Sequence, residues 1–307
     1  MKVLIVGAGG VGGYIGARLL SAGADVMFVV RERRQAQLTA QGLVVESPLG
    51  NFSGPVTAVR VPPAGFSPDV AVVACKAPAL DSALDVVAAC AGHQTRILPL
   101  LNGVAHLDLL ARRFPEMEVL GGLVHGALTL RADGVVAHLT PFFSVILGNQ
   151  AGGPDGVAEQ FVERLSAAHV DARLSPDIHQ DMWNKFVFLT TLAGITCLMR
   201  ASIGTIVSVD SGEEIIHHLL DECLAVARVE GFAPDEASMA SYRRVLTEAG
   251  STFTSSMLRD VLSGHRTEAD HILGDMLKRA IRHGIDTPIL KIALAHLRCF
   301  EATVRSN

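Results

Sequence analysis

Lys2-Val3-Leu4-Ile5-Val6-Gly7-Ala8-Gly9-Gly10-Val11-Gly12, continued by Gly13-Tyr14-Ile15-Gly16-Ala17-Arg18-Leu19-Leu20, is the stretch that decides the fold. Lys2–Val6 is a continuous apolar run with no polar alternation, which suits a strand buried on both faces in a parallel sheet. Val11–Ala22 then carries helical spacing. Between them Gly7-Ala8-Gly9-Gly10-Val11-Gly12 matches G-x-G-x-x-G. Gly7 permits the tight turn, Gly9 lets backbone approach a pyrophosphate, and Gly12 lets the helix pack closely on the strand. The helix N-terminus offers free N–H groups and a positive dipole end to phosphates. Such a loop, placed between strand and helix at the start of a βαβ unit, points to dinucleotide binding; the bland alternative is glycines that serve only helix packing.

The next strand, Asp25–Val30, ends at Arg31, 19 residues after Gly12. An NAD site usually places Asp or Glu here to hold the ribose 2′-hydroxyl. A guanidinium suits a 2′-phosphate instead, so the expected cofactor is NADP(H). The competing reading makes Arg31 a solvated residue at a helix start and gives the ribose to Glu32.

Outward from this unit, Asp69–Ala74 and Arg96–Leu101 read as further strands separated by a helical stretch, Ala79–Cys90. Beyond Gly121 the pattern shifts to shorter strands (Val135–Leu139, Ser144–Leu147), one helix (Asp155–Ala168) and a last strand (Val170–Leu174). At Ser175-Pro176-Asp177 a serine can cap a helix whose first position is proline, where a missing N–H does no harm. Helix then follows helix, with breaks expected near Gly204, Gly212, Gly231–Pro234, Gly264 and Gly284. The fold class is therefore α/β: an N-terminal parallel-sheet domain of Rossmann type over 1–175 and an all-helical C-terminal domain over 176–307, expected to share a fixed interface with a cleft.

Composition bounds the rest. The chain has 307 residues, 49% hydrophobic and 19% charged, with a formal net charge of −5. A mean hydropathy of +0.36 excludes a disordered chain and prompts a search for membrane spans. Phe186–Met199 has no charge, but its 14 residues fall short of the ~20 a spanning helix needs. Residues 134–154 contain His138, Pro141, Asn149, Gln150 and four glycines, costly in lipid. The uncharged run before Arg18 holds six glycines and lacks a cleavage site, so it is not read as a signal peptide. No basic block suggests nucleic acid. Cys75, Cys90, Cys197, Cys223 and Cys299 have neither metal nor redox spacing and read as buried thiols of a reducing compartment, with no metal site. The expected location is cytoplasmic.

Only five lysines are present, and two sit in unusual company. Lys76 follows a strand at the carboxyl edge of the sheet, where ligands collect in such folds. Lys185 lies in Met182-Trp183-Asn184-Lys185-Phe186-Val187-Phe188, within the most apolar helix of the second half. A lysine there is costly unless paired or functional, and desolvation lowers its pKa toward the range of a general acid at neutral pH. The alternative is a lysine snorkelling out of the helix. Farther on, Thr267 has the spacing of an N-cap and Glu268 that of a first-turn acid.

Taken together, the glycine loop, Arg31, Cys75-Lys76-Ala77, Leu101-Asn102-Gly103-Val104, Trp183-Asn184-Lys185, Ser255-Ser256-Met257, Arg266-Thr267-Glu268-Ala269-Asp270 and Gly284-Ile285-Asp286-Thr287-Pro288 resemble the ketopantoate reductase (2-dehydropantoate 2-reductase) family over essentially the whole chain. The resemblance implies reduction of ketopantoate to pantoate by NADPH, a step of pantothenate biosynthesis, with the cofactor in the cleft. It implies Gly7, Ala8, Gly9, Gly10, Val11, Gly12 and Arg31 as cofactor residues and Lys185 as general acid. Glu268 would bind the substrate hydroxyl and position that lysine. Asn102 and Lys76 would sit near the nicotinamide ribose and the substrate, and Ser256 would hold the substrate carboxylate. Expected partners are a small-molecule 2-keto acid and a second copy in a homodimer, with no nucleic acid and no membrane.

Four positions depart from that pattern. Leu189, Ala193, Phe253 and Leu273 stand where the family commonly has asparagine, which implies a more apolar substrate cleft and weak turnover of ketopantoate, or preference for a more apolar 2-keto acid. Two alternatives stay open: a related two-domain dehydrogenase acting on a β-hydroxy acid or an opine-like compound, and an NADP-binding redox sensor without turnover.

Overall fold

The computed structural model describes residues 1–306, with side chains described to residue 304. They form two compact units: Met1–Leu101 with His106–Ile178, and Asn102–Ala105 with His179 onward. The break falls three residues beyond Ser175, and the short segment Asn102–Ala105 clusters with the helical unit.

In the first unit β1 (Lys2–Val6) leads through α1 (Gly10–Ser21) to β2 (Asp25–Val29) and α2 (Glu32–Gln41). Next come β3 (Leu43–Glu46), β4 (Phe52–Gly54), β5 (Thr57–Val59) and β6 (Val70–Val73). A 3₁₀ turn (Ala77–Ala79), α3 (Leu80–Cys90), β7 (Arg96–Pro99) and α4 (Ala105–Arg113) follow. The unit closes with β8 (Leu120–His125), β9 (Leu128–Leu130), β10 (Val136–His138), β11 (Ser144–Asn149), α5 (Gly156–Ala167) and β12 (Asp171–Leu174).

Strands β5-β2-β1-β6-β7 form one all-parallel sheet. Val3, Leu4 and Ile5 of β1 and all of β6 are fully buried, so both faces are covered. Apolar faces on both sides leave the sequence no alternation to display. Val3, Ile5, Val26 and Phe28 pack in one cluster with Tyr14, Ile15 and Leu19 of α1. Leu4, Val6, Ala71 and Val73 face α3 through Leu80, Ala83, Leu84 and Val87. The later strands expected in this half do not extend the sheet. They build a four-stranded sheet, β4-β3-β10-β9, and a three-stranded one, β12-β11-β8. At α5, Asp155 is the N-cap, accepting from Val157 N at 3.0 Å and Ala158 N at 2.9 Å, while Arg96 Nε donates to it at 2.6 Å.

The second unit contains α6 (Ile178–Met199), α7 (Ile203–Val207), α8 (Gly212–Val229), α9 (Glu236–Leu246), α10 (Ser256–Leu262), α11 (Ala269–Arg282) and α12 (Pro288–Ser306). The expected start of α6 at Pro176 is two residues early: Ser175 Oγ instead accepts from Asp177 N in a local turn. The break expected near Gly204 falls between Met199 and Ile203. Gly204 lies inside α7, where a Cβ would fall 2.3 Å from Ser251 N, so the glycine serves close approach rather than termination. The α6 helix is long and apolar enough to cross a membrane, but 67% of its most apolar window is buried in the protein, as in a core helix. The expectation of buried cysteines holds for Cys197 and Cys223 only; Cys75 and Cys90 are half-buried and Cys299 is exposed.

Candidate active site

Two separate features concentrate the residues singled out in the sequence, one in each unit. In the first unit a groove of about 760 Å³ runs along the carboxyl ends of the parallel strands, lined by Gly7, Ala8, Gly9, Arg31, Arg60 and Lys76, among others. That volume falls in the usual range of ligand sites.

The glycine loop is built as its spacing requires. Gly7 sits at φ +104°, and a Cβ on Gly12 would meet Gly7 O at 1.9 Å, so no larger residue lets α1 start this close to β1. A Cβ on Gly9 would meet nothing within 4 Å, which leaves the backbone open to a ligand in the groove. The first N–H groups of α1 have no intrahelical acceptors. Gly10, Val11 and Gly12 do not line the groove; they form the helix start behind it. These residues fit the pyrophosphate of a dinucleotide.

The three arginines after β2 divide their work. Arg31, at the N-cap position of α2, is exposed and lines the groove. Arg33 is exposed and does not line it. Arg34 is buried: Nε donates to Ala8 O at 3.0 Å and Nη1 to Gly134 O at 2.8 Å, tying the glycine loop to α2. The sequence reading passed over Arg34, because a charge in a run of charges looks solvated. Glu32 is exposed and pairs loosely with Arg60 at 3.8 Å. Lys76 is exposed at the start of the 3₁₀ turn.

In the second unit α6 carries Lys185, whose Nζ donates to Asn102 Oδ1 at 3.0 Å. Burial pulls the Lys185 ammonium down to about 8, and the Glu268 carboxylate partly opposes that fall. The three residues Lys185, Asn102 and Glu268 therefore act on one another, although 83 residues separate the first two. The snorkelling alternative does not describe this lysine.

A small pocket joins Glu268 to Ser255, Ser256, Asp260, Leu189 and Ala193, with Met257 and Ile272 completing its wall. The serines differ in role. Ser255 is buried, caps α10 by accepting from Leu258 N at 3.0 Å, and shares a hydrogen bond with Thr196 at 2.9 Å. Ser256 begins α10 and is exposed. Glu268 is the N-cap residue of α11, one position before the first turn where it was expected. Thr267 acts just outside the helix, its Oγ1 accepting from Ala269 N at 3.2 Å.

The four apolar departures separate. Leu189 and Ala193 line the pocket, four and eight residues after Lys185 on the same helix. Leu273 is fully buried and absent from the lining, and Phe253 is exposed, stacking on Phe188 with centroids 6.4 Å apart. The small pocket therefore takes in two of the four.

One further residue escaped the sequence reading. His271, one turn into α11 from Glu268, is hydrogen-bonded to the Asn102 backbone, and burial holds its imidazole below the ordinary histidine range despite Glu268 and Asp275 nearby. Its only sequence signal is the i, i+3 spacing from Glu268. Among the described residues no group of three or more His, Cys, Asp or Glu could hold a metal ion.

The Ketopantoate reductase PanE/ApbA model matches residues 3–152, and the Ketopantoate reductase PanE/ApbA C terminal model matches residues 177–301. An uncharacterized oxidoreductase, YkpB of Bacillus subtilis, is 34% identical over 302 residues, covering 98% of this chain and 99% of the relative. A 2-dehydropantoate 2-reductase of Archaeoglobus fulgidus is 30% identical over 301 residues, covering 98% of each. The crystal structure of a PanE/ApbA family ketopantoate reductase from Ralstonia eutropha superposes with a TM-score of 0.90 at 26% identity, over 99% of this chain and 100% of that one. With both halves matched in order and relatives covered end to end, the chain belongs to the ketopantoate reductase family of oxidoreductases.

Proposed function

We propose that this protein is a cytoplasmic NADPH-dependent reductase of 2-keto acids, with ketopantoate to pantoate as the reaction its family suggests. Residues 1–175 would form the cofactor domain and 176–307 the substrate and catalytic domain. The observation that carries the reading is Lys185: a lysine with its pKa lowered to about 8, hydrogen-bonded to Asn102 and subject to the field of Glu268.

When bound, the reduced nicotinamide supplies a hydride to the carbonyl carbon. Gly7–Gly12 and the start of α1 would hold its pyrophosphate. Arg31 is the exposed guanidinium suited to a 2′-phosphate, and Lys76 and Asn102 would stand by the nicotinamide ribose and the substrate. As the C=O π bond breaks, negative charge gathers on oxygen. Lys185 Nζ gives that oxygen its proton, leaving a neutral amine that solvent recharges. Glu268 favours the ammonium form beforehand and would accept a substrate hydroxyl, and Ser256 would hold the substrate carboxylate.

Leu189, Ala193, Met257 and Ile272 give the pocket an apolar wall. That wall supports a 2-keto acid with a less polar side chain, on which ketopantoate is turned over weakly. NADPH oxidation measured with ketopantoate and a panel of branched and aromatic 2-keto acids tests the assignment. Oxidation with none of them would remove it in favour of a sensor or an unrelated substrate.

A further inference from the structure

The last helix reaches back to the residue next to Glu268. From α12, Glu301 Oε1 accepts from the Thr267 backbone N at 3.0 Å and from Thr267 Oγ1 at 2.5 Å. The same Thr267 Oγ1 accepts from Ala269 N at 3.2 Å. The residues on either side of Glu268 are thus tied into one chain of hydrogen bonds that begins at the Glu301 carboxylate. Thr267 is buried, so its N–H and hydroxyl require partners, and a charged acceptor makes the stronger bond. Arg298, one turn earlier on α12, donates through Nε to Asp270 Oδ1 at 2.9 Å, but both side chains are largely exposed and that pair contributes little.

We propose that Glu301 is a positioning residue for proton transfer: by holding Thr267 it sets where Glu268 enters α11, and so where the Glu268 carboxylate stands relative to Lys185. The inference rests on Lys185 as proton donor. The helical start of α11 is the part that needs such a hold, because Glu268 occupies the N-cap position with backbone angles outside the usual extended cap region (φ −103°, ψ 27°) and makes no side-chain cap bond of its own. Propensity alone therefore does not fix this residue. The titratable groups that bear on Glu268 are Lys185 from α6, Asp260 from α10 across the pocket, and His271 from α11 itself. Glu301 is the member from α12, acting through Thr267.

The test uses the full-length protein, NADPH, and whichever 2-keto acid is turned over best. Four variants are compared: Glu301→Gln, Glu301→Ala, Thr267→Val and Lys185→Ala. The readouts are kcat, KM, the pH profile of kcat and the melting temperature. In Glu301→Gln the amide oxygen still accepts both Thr267 hydrogens, so kcat stays within about threefold. In Glu301→Ala and Thr267→Val the hold is lost and kcat falls about tenfold to a hundredfold, as for a misplaced catalytic group. The basic limb of kcat moves down by about half a pH unit or more, because the carboxylate that favours the Lys185 ammonium has moved away. A folded Glu301→Ala with its limb unmoved and kcat within about twofold of wild type would overturn the proposal. So would loss of folding in both Glu301→Ala and Thr267→Val, which would assign Glu301 to stability alone. Lys185→Ala separates the two layers: if it stays active, the proton-donor reading itself fails, whereas an inactive Lys185→Ala with an unmoved limb in Glu301→Ala removes only the role of Glu301.

Discussion

Lys185 Nζ donates to Asn102 Oδ1 at 3.0 Å, linking the catalytic candidate on α6 to the loop that follows β7. An amide oxygen is a neutral acceptor, so it orients the ammonium without neutralising it. Glu268 supplies charge that favours the protonated nitrogen, and in the proposed reaction that proton goes to the substrate oxygen.

The pH dependence follows from this arrangement. A general acid works when protonated, so kcat is expected to be flat at low pH and to fall as pH rises through about 8. Lys185→Ala should lower kcat by about 10² to 10⁴ while leaving NADPH affinity near the wild-type value. Steady-state rates from pH 6 to 10, with cofactor binding by fluorescence titration, check both; a wild-type profile flat to pH 10 would remove the assignment.

The proposed preference for NADPH assigns the 2′-phosphate to Arg31. Arg31→Ala should weaken NADPH about tenfold or more and NADH little, since a guanidinium offers a 2′-phosphate a charge-assisted bond of about 1.5–3 kcal/mol. Dissociation constants for both cofactors decide it. Equal weakening would transfer the ribose to Glu32.

The proposed preference for a less polar 2-keto acid assigns substrate choice to Leu189 and Ala193, which line the pocket. Placing asparagine at both should raise kcat/KM for ketopantoate relative to an unhydroxylated branched 2-keto acid by about tenfold or more, because a hydroxyl gains a partner the apolar wall denies it. Competition assays with the two acids measure the ratio. A ratio unchanged by the double substitution would show that the wall does not select.

Stability of the first unit is tied to Asp155. Burial alone would push its carboxyl up, but the Ala158 N–H and the Arg96 guanidinium prevail and hold it below the ordinary range. Asp155→Ala removes an N-cap and strands Arg96, and should cost about 2–4 kcal/mol. For a group with a lowered folded pKa, the stabilisation is complete above the unfolded value of about 3.9 and is lost as pH falls through the folded one. The melting-temperature gap between wild type and Asp155→Ala should therefore be constant near neutrality and narrow below about pH 4. A gap that widens on acidification would contradict the pairing.

Much of this architecture is legible in the sequence. The β1–loop–α1 unit follows from one apolar run and three glycines, since each step is set by neighbours in sequence. The later strands were visible but not their sheets, because strand partners such as β11 and β8 are settled by packing over long separations. Helix starts slipped by one or two residues at Ser175 and Thr267, where local hydrogen bonds compete with capping.

The parallel sheet, the glycine loop, the family and the identity of Lys185 as the costly lysine all follow from local pattern and composition. The tertiary structure decided which arginine faces the groove and which is buried beneath it, and which serine caps and which is exposed. It also decided which apolar replacements reach the pocket. It alone brought Asn102, His271 and Glu301 to the surroundings of Lys185 and Glu268. Those pairings depend on where distant helices and loops stop and turn, and no periodicity along the chain records that.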